Sequence, residues 1–311
     1  MSTVNALTRP GGTIGMVLPT LPQGPNPSWD IGSVARTAES AGADALWACD
    51  HLAWQTPTLE CFTALAMAVA STRECAVGTG VLQLPLRPAP LVAKTAASLS
   101  VASGGRFVLG VGVGLHEGEF AAMDAEFHAR GKRTEEAIHA LRRLWEDGLS
   151  QPDEVFGGRY RQAPAPGAVP VWIGGSGDVA RRRAVRIGDG WMPLFVPPDD
   201  LRGRIVRLRE ECEAAGRASD AVVTSLVLFV SAGTGPDERR AEERGLAWMS
   251  SLYALPGHKF AKYLVSGPPA ACAEVVARYF DAGVNHVVLF ITDDQPLDQF
   301  GAIAGELAVS R

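Results

Sequence analysis

Ser103-Gly104-Gly105-Arg106-Phe107-Val108-Leu109-Gly110-Val111-Gly112-Val113-Gly114 divides into a glycine turn, a buried strand and a glycine-rich exit. Residues 107–113 are apolar or glycine, without the alternation of a strand that shows one face to water. Such a run suits a strand covered on both faces, the usual state in a parallel sheet. Working outward, comparable short runs recur at residues 13–18, 44–48, 75–81, 169–173, 190–194, 222–231 and 284–291, giving eight strand candidates in all.

Helical patterns lie between them. After Gly131, the residues Ala137, Ile138, Leu141, Leu144 and Trp145 share one face, with Glu135 and Glu136 early, Arg142 and Arg143 late, and Gly148 following. That charge order complements the helix dipole, and glycine is a common stop. Pro268 and Pro269 open a second helix with the stripe Cys272, Val275, Val276, Tyr279 and Phe280, and Gly283 ends it. A last stripe comprises Leu297, Phe300, Ile303, Ala304 and Leu307. Alternating strands and helices imply a parallel sheet with right-handed crossovers. Eight such units predict a (β/α)8 TIM barrel, with an open doubly wound sheet as the alternative. Two stretches exceed the minimal unit: residues 151–168, expected to be a loop with a short hairpin after helix 4, and residues 233–266, expected to add a helix after strand 7.

A length of 311 residues suits one barrel domain spanning 1–311, with residues 1–12 expected to be flexible. Hydrophobic residues make up 47% and charged residues 20%, which excludes wholesale disorder. A net charge of −5 gives no electrostatic reason to expect nucleic acid. The five cysteines are scattered and form no CxxC pair, which fits reduced thiols. No apolar run approaches the length of a membrane span, and the N-terminal stretch lacks a secretory pattern. The expectation is a soluble, cytoplasmic protein.

In such barrels the chemistry sits at the C-terminal strand ends. Reading there, His51 is the sharpest candidate, because an imidazole can donate or accept a proton near neutral pH. Its neighbour Asp50 points the other way along a strand and is expected to make a structural hydrogen bond. Gly174-Gly175-Ser176-Gly177 follows a strand and opens a helix, an arrangement that suits a phosphate or merely a tight turn. The glycines of 110–114 miss the GxGxxG pattern, since Leu115 stands where the third glycine belongs. They read as room for a flat ring or as loose barrel packing. His116 and Glu117 follow and could face substrate, and Trp54 and Leu82 stand at rim positions. Arg181, Arg182 and Arg183 read as a solvated helix face. No cluster has metal-ligand spacing, and there is no GxSxG elbow or Walker loop.

The stretches Val77-Gly78-Thr79-Gly80-Val81-Leu82, Leu91-Val92-Ala93-Lys94, Ser103 to Gly114, and Val171-Trp172-Ile173-Gly174-Gly175-Ser176-Gly177 with Gly188-Asp189-Gly190-Trp191-Met192-Pro193 resemble the luciferase-like monooxygenase superfamily. The continuation His116-Glu117 to Phe120 is closest to its deazaflavin branch, which uses coenzyme F420. The resemblance implies a ring system over strands 2 to 4 and a non-prolyl cis peptide near Gly80-Val81. It implies His51 as the catalytic histidine and Gly174, Gly175, Ser176 and Gly177 as the phosphate loop. Thr79, Gly80, Val81, Gly112 and Met192 would then line the cofactor, while Trp54, Leu82, His116 and Glu117 would line the substrate pocket. A homodimer is also implied.

The leading expectation is therefore an F420-dependent oxidoreductase that moves a hydride to or from a small organic substrate. The alternatives are an FMN-dependent monooxygenase using O2, which would need a reductase partner, and a non-catalytic flavin-binding barrel.

Overall fold

A computed structural model describes residues 6–21, 29–146, 157–158, 162–234, 237–293 and 296–309. Its strands are β1 (Thr13–Val17), β2 (Ala45–Ala48), β3 (Ala76–Thr79), β4 (Leu82–Gln83), β5 (Phe107–Gly112), β6 (Val171–Gly174), β7 (Gly190–Met192), β8 (Val223–Ala232), β9 (Leu264–Gly267) and β10 (His286–Ile291). The parallel path β1-β2-β3-β5-β6-β7-β8 is closed by β10, which pairs with β8 on one side and β1 on the other. That closure excludes the open sheet. All eight sequence candidates contribute a barrel strand. The third is interrupted, because β3 ends at Thr79 and the short β4 resumes the pairing with β5 at Leu82↔Val111.

The helices are α1 (Ile31–Ser40), α2 (Cys61–Ser71), α3 (Ala89–Ala102), α4 (Glu117–Ala122), α5 (Arg130–Trp145), α6 (Asp178–Ile187), α7 (Pro198–Ala214), α8 (Glu238–Tyr253), α9 (Pro269–Asp281) and α10 (Pro296–Val309). The expected inserted helix is α8, and it is followed by a 3-10 turn at Gly257–Phe260 and by β9, which pairs with the far end of β8. The hairpin expected within residues 151–168 falls largely outside the described residues. Among the described residues, no helix is long and apolar enough to cross a membrane.

Strand alternation builds two cores. On β8, Leu226, Leu228 and Val230 pack outward under the helices, while Val223, Val227 and Phe229 face the barrel interior. The interior is filled by pairing large rings with glycines. A methyl group on Gly78 would lie 2.6 Å from the Trp47 ring, and one on Gly190 would lie 2.4 Å from Trp172. Trp47 and Trp172 lie against each other with centroids 5.1 Å apart, and His286 completes the layer.

His286 is fully buried, and burial lowers its pKa to about 3. The Trp47 indole donates to its Nε2 at 3.0 Å, so Nδ1 carries the proton and donates to Thr13 Oγ1 at 2.8 Å. Thr13 in turn donates to the Leu7 carbonyl at 3.1 Å. Leu7 is buried and Arg9 pairs with Asp44 at 2.5 Å, so residues 6–12 lie against the barrel, while residues 1–5 fall outside the described residues. The neutral His286 has a consequence for acid stability. Unfolding restores a normal imidazole, which takes up a proton below about pH 6.5. The folded site does not take one until about pH 3, so its stabilising contribution is intact above 6.5 and is lost as pH falls toward 3. Denaturant titrations between pH 7 and pH 5 should show stability falling, with a shallower slope in His286→Gln. Equal slopes would mean His286 does not titrate this way.

Candidate active site

His51 follows β2, a quarter exposed at the C-terminal end of the barrel. Its Nδ1 lies 3.1 Å from Glu119 Oε2, on a carboxylate that is 1% exposed. The same oxygen accepts from Gln83 Nε2 at 3.0 Å, and Oε1 accepts from the Leu52 N–H at 2.6 Å and the Ala53 N–H at 3.3 Å. Gln83 Nε2 is also 3.4 Å from His51 Nδ1, but it donates to Glu119 Oε2 and to the Asp50 carbonyl. His51 Nδ1 is therefore the protonated nitrogen, and Nε2 is left for a ligand. Burial pushes the Glu119 carboxyl up, but the hydrogen bonds from Gln83, His51 and Leu52 outweigh it and leave the group below the usual carboxylate range. Glu119 is thus an anion fixed behind the imidazole, able to stabilise its protonated form.

Sequence reading singled out Glu117 and passed over Glu119. Glu117 is exposed in the first turn of α4, where it favours the helix dipole. Glu119 lies on the inward face beside buried Phe120. The available signal was that adjacency, an acid next to an aromatic on the inner face of a short helix. Nothing local says that the face meets residue 51.

Trp54 stacks on His51 with centroids 3.9 Å apart and planes inclined by 29°. Its indole donates to the Leu252 carbonyl in the last turn of α8 at 2.7 Å, so the insertion holds the ring that backs the histidine. His116 is exposed and meets Trp54 edge-on, with centroids 5.6 Å apart. Asp50 plays the structural part expected of it: it accepts two bonds from Arg87, at 2.7 and 2.8 Å, and one from the Gln83 N–H at 2.8 Å.

The Gly80–Val81 peptide is cis, where the resemblance placed it, and both residues are partly exposed beside Cys49. The Val81 side chain enters a socket made by glycines. A methyl group on Gly112 would lie 2.7 Å from Val81 Cγ2, and one on Gly174 would lie 2.9 Å from the same atom. Within the 110–114 run that could give a flat ring room, Val81 therefore occupies the space over Gly112, which is buried beneath it.

Three further residues of the expected site are buried. Thr79 is fully buried and its hydroxyl donates to the Gly110 carbonyl at 2.6 Å, tying β3 to β5. Leu82 is fully buried in the outer core. Met192 is buried behind Gly80, so it supports the bulge from within. The arginine run is also not a solvated face. Arg181 is buried between Glu211 and Asp178, and Arg183 is buried against Glu135, leaving Arg182 exposed.

The Gly174–Gly177 loop leads into α6. Gly175 has φ +117°, a region that favours glycine, and Gly177 faces open space with no side-chain cap on the helix. Ser176 uses its hydroxyl internally, donating to the Leu194 carbonyl at 2.5 Å and accepting from the Leu194 N–H at 3.1 Å. The loop thus offers backbone N–H groups and an uncapped helix dipole, a donor set that fits a phosphate.

A closed parallel barrel with an imidazole–carboxylate pair at its C-terminal mouth has the architecture of a TIM-barrel enzyme. The chain belongs to the luciferase-like monooxygenase family, whose sequence profile matches residues 14–286, and it is an oxidoreductase of that family. It is 32% identical to an uncharacterised protein of Mycobacterium tuberculosis over 72% of this chain and 84% of that protein. It is 30% identical to an F420-dependent glucose-6-phosphate dehydrogenase of Microbacterium testaceum, over 93% of this chain and 94% of the relative. Among solved structures, an F420-dependent secondary alcohol dehydrogenase in complex with an F420-acetone adduct superposes with a TM-score of 0.81 at 20% identity, covering 96% of this chain and 99% of that one.

Proposed function

We propose that the protein is a coenzyme F420-dependent oxidoreductase acting on a small organic substrate. The observation that carries this reading is the His51–Glu119 pair at the same end of the barrel as the partly exposed Gly80–Val81 segment. The likeness to relatives named for F420 supports it. Coenzyme F420, when bound, supplies or accepts a hydride at carbon 5 of its deazaflavin ring. The Gly174–Gly177 backbone would hold its phosphate, and Gly80 and Val81 would support the ring.

The residues of the chain do the rest. His51 gives or takes the proton that accompanies hydride transfer, through Nε2. Glu119 fixes the tautomer and stabilises the charged imidazole. Trp54, held by Leu252, keeps the imidazole plane in place and shields it from water. Cys49 stands two residues before His51, and burial raises its thiol to about 12, which keeps it protonated near neutral pH.

The test is a titration of the purified protein with F420 and, separately, with FMN, followed by fluorescence and calorimetry. F420 is expected to bind at least about tenfold more tightly, a gap of about 1.4 kcal/mol. The reverse preference, with oxygen consumption on supplied reduced FMN, would establish the monooxygenase alternative instead. Binding of either cofactor without turnover by any reductant or acceptor would point to the non-catalytic reading.

A further inference from the structure

Gln83 stands in β4, past the break at residues 80–81, and is only 5% exposed. Asp50, the residue before His51, holds it twice. The Gln83 backbone N–H donates to Asp50 Oδ2 at 2.8 Å, and the side-chain Nε2 donates to the Asp50 carbonyl at 3.2 Å. Arg87 fixes Asp50 in turn, with bonds of 2.7 and 2.8 Å to its two carboxylate oxygens. An amide nitrogen has two hydrogens, and the second falls on Glu119 Oε2 at 3.0 Å. His51 Nδ1 lies 3.1 Å from the same oxygen. One carboxylate oxygen thus serves two donors, an amide and an imidazole, whose nitrogens are 3.4 Å apart.

The orientation of the amide is held at a cost. Its Oε1 is buried and has no hydrogen-bond partner among the described residues, an uncommon state for a buried acceptor. Turning the amide over would set that oxygen against the Glu119 carboxylate and the Asp50 carbonyl, which are both acceptors. A methyl group on Gly114 would lie 2.8 Å from Oε1, so the glycine leaves the oxygen its place.

Among the described residues, the donors to Glu119 are His51, Gln83 and the N–H groups of Leu52 and Ala53. Charged groups packed nearby are Asp50 and Arg87, which pair with each other, and Glu60, 3.8 Å from Arg87. His116 borders Trp54, and Glu117 is exposed in the first turn of α4. Burial pushes up the thiols of Cys49 and Cys61, which stay neutral near neutral pH. Burial also raises the Glu119 carboxyl, and the bond from Gln83 is foremost among those that bring it below the usual range. A donor on a carboxylate stabilises the anion and lowers its affinity for a proton. It also draws off part of the negative charge that the imidazole would otherwise meet.

We infer that Gln83 is a positioning residue that acts through Glu119: by sharing Oε2 with His51, it sets how tightly the imidazole–carboxylate pair holds a proton. Its part in turnover rests on the reading of His51 as the proton-transfer group.

The experiment follows the histidine ring signals of the full-chain, cofactor-free protein by NMR from about pH 5 to about pH 9, with His51→Gln assigning the His51 signal. In Gln83→Leu the anion loses a donor, so the pair should take up its first proton at a pH about one unit higher, a tenfold gain in proton affinity. In a Glu119→Gln background the same substitution should leave the imidazole midpoint where Glu119→Gln alone puts it. A merely structural role would lower stability without moving these midpoints. Gln83→Glu keeps the side-chain shape should the leucine variant not fold. Two carboxyls would then meet, and one proton should be held above the ordinary glutamate range, as read from carboxyl carbon shifts. An unmoved midpoint in Gln83→Leu, an equal rise in the Glu119→Gln background, or two ordinary carboxyl titrations in Gln83→Glu would overturn the inference. The titrations use no F420, so the two readings fail separately. An unmoved midpoint in a protein that binds F420 sinks this inference alone, whereas the expected rise in a protein that does not bind F420 sustains it and sinks the cofactor reading.

Discussion

His51→Gln is expected to lower turnover by about 10²–10⁴-fold while F420 binding is retained. Glutamine keeps a polar group of similar reach, but it cannot carry the proton that hydride transfer requires to be moved. Glu119→Gln is expected to act through His51: kcat falls about tenfold or more, with KM changed much less, because the substituted amide cannot stabilise a charged imidazole. The Glu119 carboxyl also marks the acid side of the stability profile. Its folded pKa lies below the ordinary 4.5, so its contribution is complete above about pH 4.5 and is lost as pH falls through the lowered value. Glu119→Gln should therefore remove an acid-sensitive component of stability that the parent protein shows. Steady-state kinetics and denaturant titrations on both variants check these outcomes. Full activity in His51→Gln would remove this residue from the chemistry.

Gly110→Ala is expected to destabilise the protein by about 3 kcal/mol or more, the upper end for an overpacked core. Its new methyl group would lie 2.0 Å from the Thr79 carbonyl oxygen, and that atom belongs to the backbone of the neighbouring strand. It cannot swing aside as a flexible side chain could. Gly112→Ala is a gentler case, because its methyl group meets the side chain of Val81 at 2.7 Å. About 1–3 kcal/mol of destabilisation is expected there, and Val81→Ala in the same molecule should recover a large part of it. Chemical denaturation of the two single variants and the double variant measures the coupling. Simple additivity would show that Val81 does not fill the glycine socket.

These two sets of residues also show how far the chain could be read before its fold was seen. Residues 107–113 declared a buried strand by composition alone, and the stripes of α5, α9 and α10 declared helices by their period. Those are local signals, carried by neighbours a few positions apart, and eight strands alternating with helices leave few ways to close. His51 was legible for the same reason, as an imidazole at a strand end. The partner of His51 was not legible, since Glu119 lies 68 residues away along the chain and its helix shows nothing locally that would direct it there. The purpose of the glycines was likewise hidden. Gly110, Gly112 and Gly174 looked like space for a ligand, yet the Thr79 backbone lies against Gly110, and the space at Gly112 and Gly174 belongs to Val81, which follows the break between β3 and β4. Arg181 and Arg183 looked solvated because their carboxylate partners stand on or near other helices. Sequence by itself therefore determined the parallel barrel, its element order and the histidine at its mouth, because periodicity and turn chemistry act over short spans. Tertiary structure alone decided which acid holds that histidine, what fills the glycine socket and which carboxylates pair with the buried arginines, because each depends on contacts between segments that only the closed barrel brings together.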